Sequence, residues 1–335
     1  MKVSISQLIS EPKNEGRHVV ILGAGASKQA FPDGDMNGKI PPIMNELFGL
    51  LNIGQKLKNT GINFKNENFE EVYSELSVKM PNSQIIEDID LNIREYFSSL
   101  QISANPTLYD HLILSLRPKD FVFTFNWDPF LYEAWNRNIH NAPSPKIAHL
   151  HGNVRIGYCL EHKVYGENGR KCPNCNNLFC RTPLLYPVAV KNYNDDPFIK
   201  SEWELFSESL SKASLVTIFG YSAPSIDVEA VNIMQNSWGR DNRFIERIEV
   251  IDTKEKAEVE KTWSPLVVRN YLDYSQDFYQ SRIASHPRRT CEQFLHTNFQ
   301  GHFVEENPLP INADFDELYN WLSPLLKAET EIEKS

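Results

Sequence analysis

His18-Val19-Val20-Ile21-Leu22-Gly23-Ala24-Gly25-Ala26-Ser27 is an apolar run that ends abruptly in small residues. The apolar part does not alternate with polar residues, which fits a strand covered on both faces, as in a parallel sheet. The small residues Gly23, Ala24, Gly25, Ala26 and Ser27 let a backbone come close to a pyrophosphate, and a helix starting there would offer amides and a favourable dipole. The usual dinucleotide fingerprint needs a third glycine, and Lys28 stands in that place. At this point a phosphate-binding turn and a plain tight turn both remain open.

Three further apolar runs have the same character: Phe121–Phe125, Leu215–Phe219 and Arg247–Ile251. Each ends in residues suited to a turn or a site. These are Asn126-Trp127-Asp128, Gly220-Tyr221-Ser222-Ala223-Pro224 and Asp252-Thr253. In open α/β sheets ligands bind outside the carboxyl ends of the strands, so all four endings belong on one edge. The expected fold is α/β, a Rossmann-like parallel sheet with helices on both faces. Residues 23–120 are too many for a simple crossover and predict a helical insert over about 38–118, with helices at Phe69–Leu76 and Ser83–Leu100. A loop-rich metal module spans about 152–183. Residues 1–270 form the expected catalytic domain and 271–335 an extension, helical in part. Helices are expected at Lys254–Thr262 and Ala313–Leu326. Residues 272–310 give no functional reading, and the end, AETEIEKS, is expected to be frayed and solvated.

The 335 residues are 41% hydrophobic and 23% charged, enough apolar material for a core without disulfide staples. A net charge of −10 speaks against direct nucleic-acid binding, which depends on neutralising phosphates. The first 18 residues lack the apolar core of a secretory signal, and no run approaches the roughly 20 apolar residues of a membrane span. The expectation is a cytoplasmic protein without membrane contact. In such a compartment a cysteine cluster reads as metal binding.

That cluster has two short clips, Cys159-Leu160-Glu161-His162 and Cys172-Pro173-Asn174-Cys175. Clips of this kind present ligands tetrahedrally to zinc. Cys159, Cys172 and Cys175 are the expected ligands, and the fourth is open between His162 and Cys180. Four protein ligands leave no vacant position, so the zinc would be structural. Free buried thiols are the alternative.

Asn126 and Asp128 follow the second strand, and His151-Gly152 comes some 25 residues later. Each alone is ambiguous, since such residues often cap helices or complete a core. The combination resembles the sirtuin family over roughly residues 18–255. It has GAGAS at 23–27, Thr124-Phe125-Asn126-Trp127-Asp128, His151-Gly152, the zinc module, and Gly220-Tyr221-Ser222. The resemblance implies that Gly23, Ala24, Gly25, Ala26 and Ser27 hold the pyrophosphate of NAD. It implies that Asn126 and Asp128 position the nicotinamide ribose, that His151 is the active-site histidine, and that Gly220, Tyr221 and Ser222 reach the cofactor. Asp252 would lie near the adenosine part.

Three departures set the chain apart from the deacylases of that family. The turn continues as Phe31-Pro32-Asp33-Gly34-Asp35-Met36, without a Phe-Arg pair. The segment after the metal module is Leu184-Leu185-Tyr186-Pro187-Val188-Ala189-Val190-Lys191 rather than a Phe-Gly-Glu-like run. Trp127 stands where a smaller residue is usual and would reshape that wall. Phe69-Glu70-Glu71, Leu184–Pro187 and the Gly220–Pro224 run with Asp227 look instead like divergent sirtuin-like proteins of bacterial anti-phage defence, which deplete NAD. That resemblance implies NAD hydrolysis to nicotinamide and ADP-ribose. Activity of this kind implies gating, by a homo-oligomer or by a separate sensor or activator protein such as a nucleic-acid motor or an Argonaute-type protein. A peptide deacylase, a non-catalytic NAD or ADP-ribose sensor, and a zinc-stabilised scaffold are the competing readings.

Overall fold

The computed structural model describes residues 1–12, 15–58, 68–81, 83–186, 193–223, 227–239, 247–267 and 272–333. At its centre lie six parallel strands. In chain order they are β1 (Arg17–Leu22), β2 (Phe121–Thr124), β3 (Lys146–His149), β4 (Ala213–Phe219), β5 (Arg247–Ile251) and β6 (Leu272–Ser275). Across the sheet they stand in the order β6-β5-β4-β1-β2-β3. The chain starts in the middle, winds out to one edge, returns to the centre and winds out to the other. This is the doubly wound dinucleotide-binding order, and the crevice between β1 and β4 is its switch point. Register aligns the strand ends: Leu22 sits beside Thr124 and Phe219, and Phe219 beside Ile251. The four apolar runs therefore do end in one row.

Alternate side chains feed two cores. Val20, Leu22, Val122 and Ile147 pack with the helical insert, whose helices include Phe69–Lys79 and Gln84–Ser98. Val19, Ile21, Phe123, Val216 and Val250 pack with Pro197–Ser211, Val228–Trp238 and Lys256–Trp263 on the opposite face. Val19 through Leu22 are each no more than 1% exposed, which explains the absence of alternation. Burying each such side chain is worth about 2 kcal/mol. The pattern does not announce β3 or β6: they are short edge strands, and three of the four β6 residues are only half-buried.

Residues 328–333 of the expected frayed end are instead helical. The last helix, Phe315–Glu333, runs through most of residues 328–335 and contains Pro324. Glu329 is 8% exposed and pairs with Arg288 at 2.6 Å and Arg289 at 2.5 Å. Both guanidiniums are almost fully buried. Buried charges need a partner, so this acid is drawn in after the apolar stripe of its helix has ended. No helix among the described residues is long and apolar enough to cross a membrane.

Candidate active site and metal centre

At the switch point the glycine turn closes on β4. Gly23 N–H donates to Phe219 O and Gly25 N–H to Gly220 O, each at 2.9 Å. A Cβ on Gly23 would stand 2.5 Å from Gly220 O, and one on Gly25 2.9 Å from the Gly220 Cα. Gly220 has φ +62°, and a Cβ there would meet Ala26 N at 2.1 Å. The glycines are thus required by a backbone contact between two strand ends, whatever else binds there. Helix α1 (Ala24–Ala30) follows, with Ala24 half-buried and Ala26 and Ser27 buried.

Ser27 is the hub of a buried hydrogen-bonded group. Its Oγ donates to Asp128 Oδ2 at 2.6 Å. Asn126 Nδ2 donates to Ser27 Oγ and to Gly23 O, both at 2.9 Å. A backbone carbonyl only accepts, so the amide orientation of Asn126 follows from Gly23. Tyr109 OH lies 2.7 Å from Ser27 Oγ. The single Ser27 proton is committed to Asp128, so Tyr109 donates. Burial, and the Asp128 charge after it, hold the Tyr109 phenol well above its usual pKa, which keeps it a donor. Burial also pushes the Asp128 carboxyl up to about 6, against the Ser27 and Phe130 N–H donors that lower it. A carboxyl near neutrality beside a hydroxyl can hold or release a proton under ordinary conditions. Tyr109 has no signal in the sequence: it sits in an apolar helical stretch and is 0% exposed.

His151 follows β3, and aromatic rings surround it. Phe125 meets it edge-on with centroids 4.8 Å apart, and Tyr193 stacks at 6.2 Å. Phe125 in turn lies flat on Tyr221, with centroids 4.2 Å apart. The Tyr221 hydroxyl donates to Asp227 Oδ2 at 3.1 Å. Tyr221 thus bridges the Gly220 turn to the His151 side of the site. Gly152 has φ +77°, and a Cβ on it would lie 1.7 Å from Pro183 O, so the residue after His151 must be glycine. Ser222 is exposed beyond the stack. Asp252 is half-buried at the end of β5, and its Oδ1 accepts Lys254 N–H at 2.9 Å. Pro224 and Pro187–Lys191, singled out from the sequence, lie outside the described residues. Trp127 is buried with its ring edge-on to Phe97 at 5.6 Å and tilted against Tyr186 at 5.2 Å.

The metal module is a three-stranded antiparallel sheet of Ile156–Cys159, Val164–Glu167 and Cys180–Arg181. The ligand atoms of Cys159, His162, Cys172 and Cys175 all lie within 4.8 Å of one another. Cys159 Sγ is 3.5 Å from His162 Nδ1 and 3.7 Å from Cys175 Sγ. Three thiols and an imidazole converging like this fit tetrahedral zinc with no open position, a structural site. Cys180, the other candidate for fourth ligand, is corrected by the structure. It is exposed on a strand and stands outside the group, while His162 completes it. The module is tied to the site by its exit. Thr182 Oγ1 accepts Asn153 N–H at 3.1 Å and donates to Asn153 O at 2.8 Å. Asn153 Nδ2 then donates to Asp128 O at 2.6 Å.

No protein-family model and no curated protein matches the sequence. Among solved structures, a Sir2 homolog–NAD complex is similar with TM-score 0.41 and 15% identity, over 89% of this chain and 96% of that one. A structure described under the mechanism and regulation of Sir2 enzymes is similar with TM-score 0.39 and 12% identity, over the whole of both chains. Likeness of this depth does not decide an activity, which has to be argued from the site.

Proposed function

We propose that the protein is an NAD hydrolase that cleaves the nicotinamide–ribose bond, and that it acts as an NAD-depleting effector of bacterial anti-phage defence. The observation that carries the cleavage reading is the Ser27–Asn126–Asp128 group. It joins the glycine turn, which stands at the switch point of a doubly wound sheet where such folds take dinucleotides, to the end of the neighbouring β2. The pyrophosphate lies along residues 23–27, and Asp252, a strand end away, accepts from ribose hydroxyls. The Asn126 amide nitrogen is occupied by Gly23 and Ser27, so its oxygen is the part that meets ribose or water.

Water attacks the ribose carbon as the bond to nicotinamide breaks, through an oxocarbenium-like state. Nicotinamide departs neutral because it was cationic in NAD, so no acid is needed for it. The proton released from water passes to His151 as general base, and on to solvent. The Asp128 charge stabilises the developing cation. The filling of one wall by Trp127, Phe97, Tyr186 and Tyr73 supports water, rather than an acyl-lysine peptide, as the nucleophile. The defence role rests on the sequence resemblance, and requires that the activity be gated by self-assembly or by a separate activator protein.

The test is nicotinamide release from NAD by the full chain, with and without an acetyl-lysine peptide. Release without peptide, lost in Asn126→Ala and His151→Ala, is the expected result. Release only with peptide makes the protein a deacylase and overturns the reading.

A further inference from the structure

We infer that Tyr109 is a positioning residue for the Ser27–Asn126–Asp128 group, and that the C-terminal helix helps to hold Tyr109 in place, alongside the neighbouring helix Phe130–Asn138 and Tyr279, whose hydroxyl meets His111 Nδ1 at 2.8 Å. The inference rests on the reading of that group as the substrate-binding centre. Helix α2 (Leu108–Leu114) lies between the site and the last helix, α3 (Phe315–Glu333). Toward the site it presents Tyr109, whose hydroxyl is 2.7 Å from Ser27 Oγ and 3.4 Å from Asn126 Nδ2.

Away from the site, α3 holds α2 at its start, at its end and just beyond. At the start, Asp110 accepts from Thr107 Oγ1 at 2.6 Å, from Arg137 Nε at 2.6 Å and from Asn138 Nδ2 at 2.8 Å. α3 reaches both of the distant donors. Tyr319 O–H donates to Asn138 Oδ1 at 2.9 Å, and the Arg137 guanidinium lies 4.9 Å over the Phe315 ring. At the end of α2, Leu114 is buried in one cluster with Leu318, Leu322 and Leu325. Just beyond, Arg288 donates to Leu116 O at 2.7 Å and to Leu114 O at 3.4 Å, while Glu329 grips its guanidinium at 2.6 Å.

A helix of 7 residues makes too few internal hydrogen bonds to fix its own place, so its neighbours set it. A hydrogen bond of 2.7 Å is weakened by a shift of a few tenths of an ångström. Loosening α3 therefore reaches Ser27 through α2 and Tyr109. This is a physical route by which an event at the C-terminal helix alters the site.

The experiment uses the full chain with 13C at tyrosine Cζ, a position that reports hydrogen bonding of the phenol. Tyr109→Phe assigns the Tyr109 signal. Tyr319→Phe and Glu329→Gln are then compared with wild type for that signal, for amide exchange across residues 108–116 against residues 17–22, and for NAD affinity by calorimetry. The expected result in Tyr319→Phe is a shifted Tyr109 signal and severalfold faster exchange in 108–116 alone. NAD binding is then weakened severalfold, as in Tyr109→Phe. Glu329→Gln leaves two buried guanidiniums facing a neutral amide and can fail to fold. Tyr319→Phe removes only one half-buried hydroxyl and so carries the decision. An unmoved signal with unchanged exchange in Tyr319→Phe overturns the inference, as does wild-type NAD affinity in Tyr109→Phe. If the wild type binds no NAD, the functional reading falls, and the signal and exchange measurements still decide the coupling.

Discussion

Burial of the Asp128 carboxyl works against stability and for chemistry. Its pKa is raised to about 6 in the folded chain, chiefly by loss of water, from an ordinary value of 3.8. A raised folded pKa means that the folded form is favoured at low pH and loses that advantage as pH rises through about 6. Above that the ionised, buried group is a standing cost. Asp128→Asn removes it while keeping an oxygen for Ser27 or the Phe130 N–H. We expect the variant to gain on wild type by about 1 kcal/mol in urea unfolding between pH 5 and pH 8, and to lose NAD cleavage. A pH-independent difference would mean that Asp128 is not held near neutrality. At this scale the sequence named three of the four partners, Ser27, Asn126 and Asp128. The signal was small or polar residues at strand ends, where a core has no use for them. Tyr109 gave none, because a tyrosine in an apolar helix looks like core until its hydroxyl is located.

The zinc module is an element whose function is mechanical. Its ligands come from a strand end, a tight turn and a knuckle, and its exit residue Thr182 pins Asn153, which pins Asp128. The two clips were legible because short ligand spacings are a local property. The choice between His162 and Cys180 was not, because it depends on which way a strand faces after the knuckle. Metal content separates the two. Cys180→Ser should retain one zinc per chain by atomic absorption, and His162→Ala should lose it or hold it far more weakly. Structural zinc contributes on the order of 10 kcal/mol to such modules, so a chelator should lower the melting temperature of wild type and of Cys180→Ser alike. Zinc lost from Cys180→Ser and kept in His162→Ala would reverse the ligand assignment. Elements that the sequence hid are explained in the same way. β3 and β6 are edge strands of four residues each, and β6 is mostly half-buried, so neither stands out from loops, whereas β1, β2, β4 and β5 are covered on both faces.

At the scale of the whole molecule, four buried histidines among the described residues, His18, His111, His149 and His286, have their pKa lowered by burial. Burial lowers His18 and His149 to about 3 and His286 to about 4. On unfolding each regains an ordinary pKa near 6.5 and takes up a proton below it. Stability from these sites is therefore present above about 6.5 and is lost as pH falls. Glu202 acts in the opposite sense: burial raises it to about 7, so its contribution falls as pH rises. It lies beside His149, whose backbone N–H it accepts at 2.6 Å. The two effects partly cancel near neutrality, and a single curve of stability against pH cannot separate them. His149→Leu can, because the Glu202 contact is to the His149 backbone and survives the substitution. Neither ring nitrogen of His149 has a hydrogen-bond partner among the described residues, so little else is removed. Relative to wild type, the variant should gain about 2 kcal/mol between pH 7 and pH 5 in urea unfolding. Parallel curves for the two proteins would show that His149 takes up its proton alike in the folded and unfolded chain. The acid sensitivity would then have to come from groups such as Glu329, which the buried Arg288 and Arg289 hold below its usual range against the cost of burial.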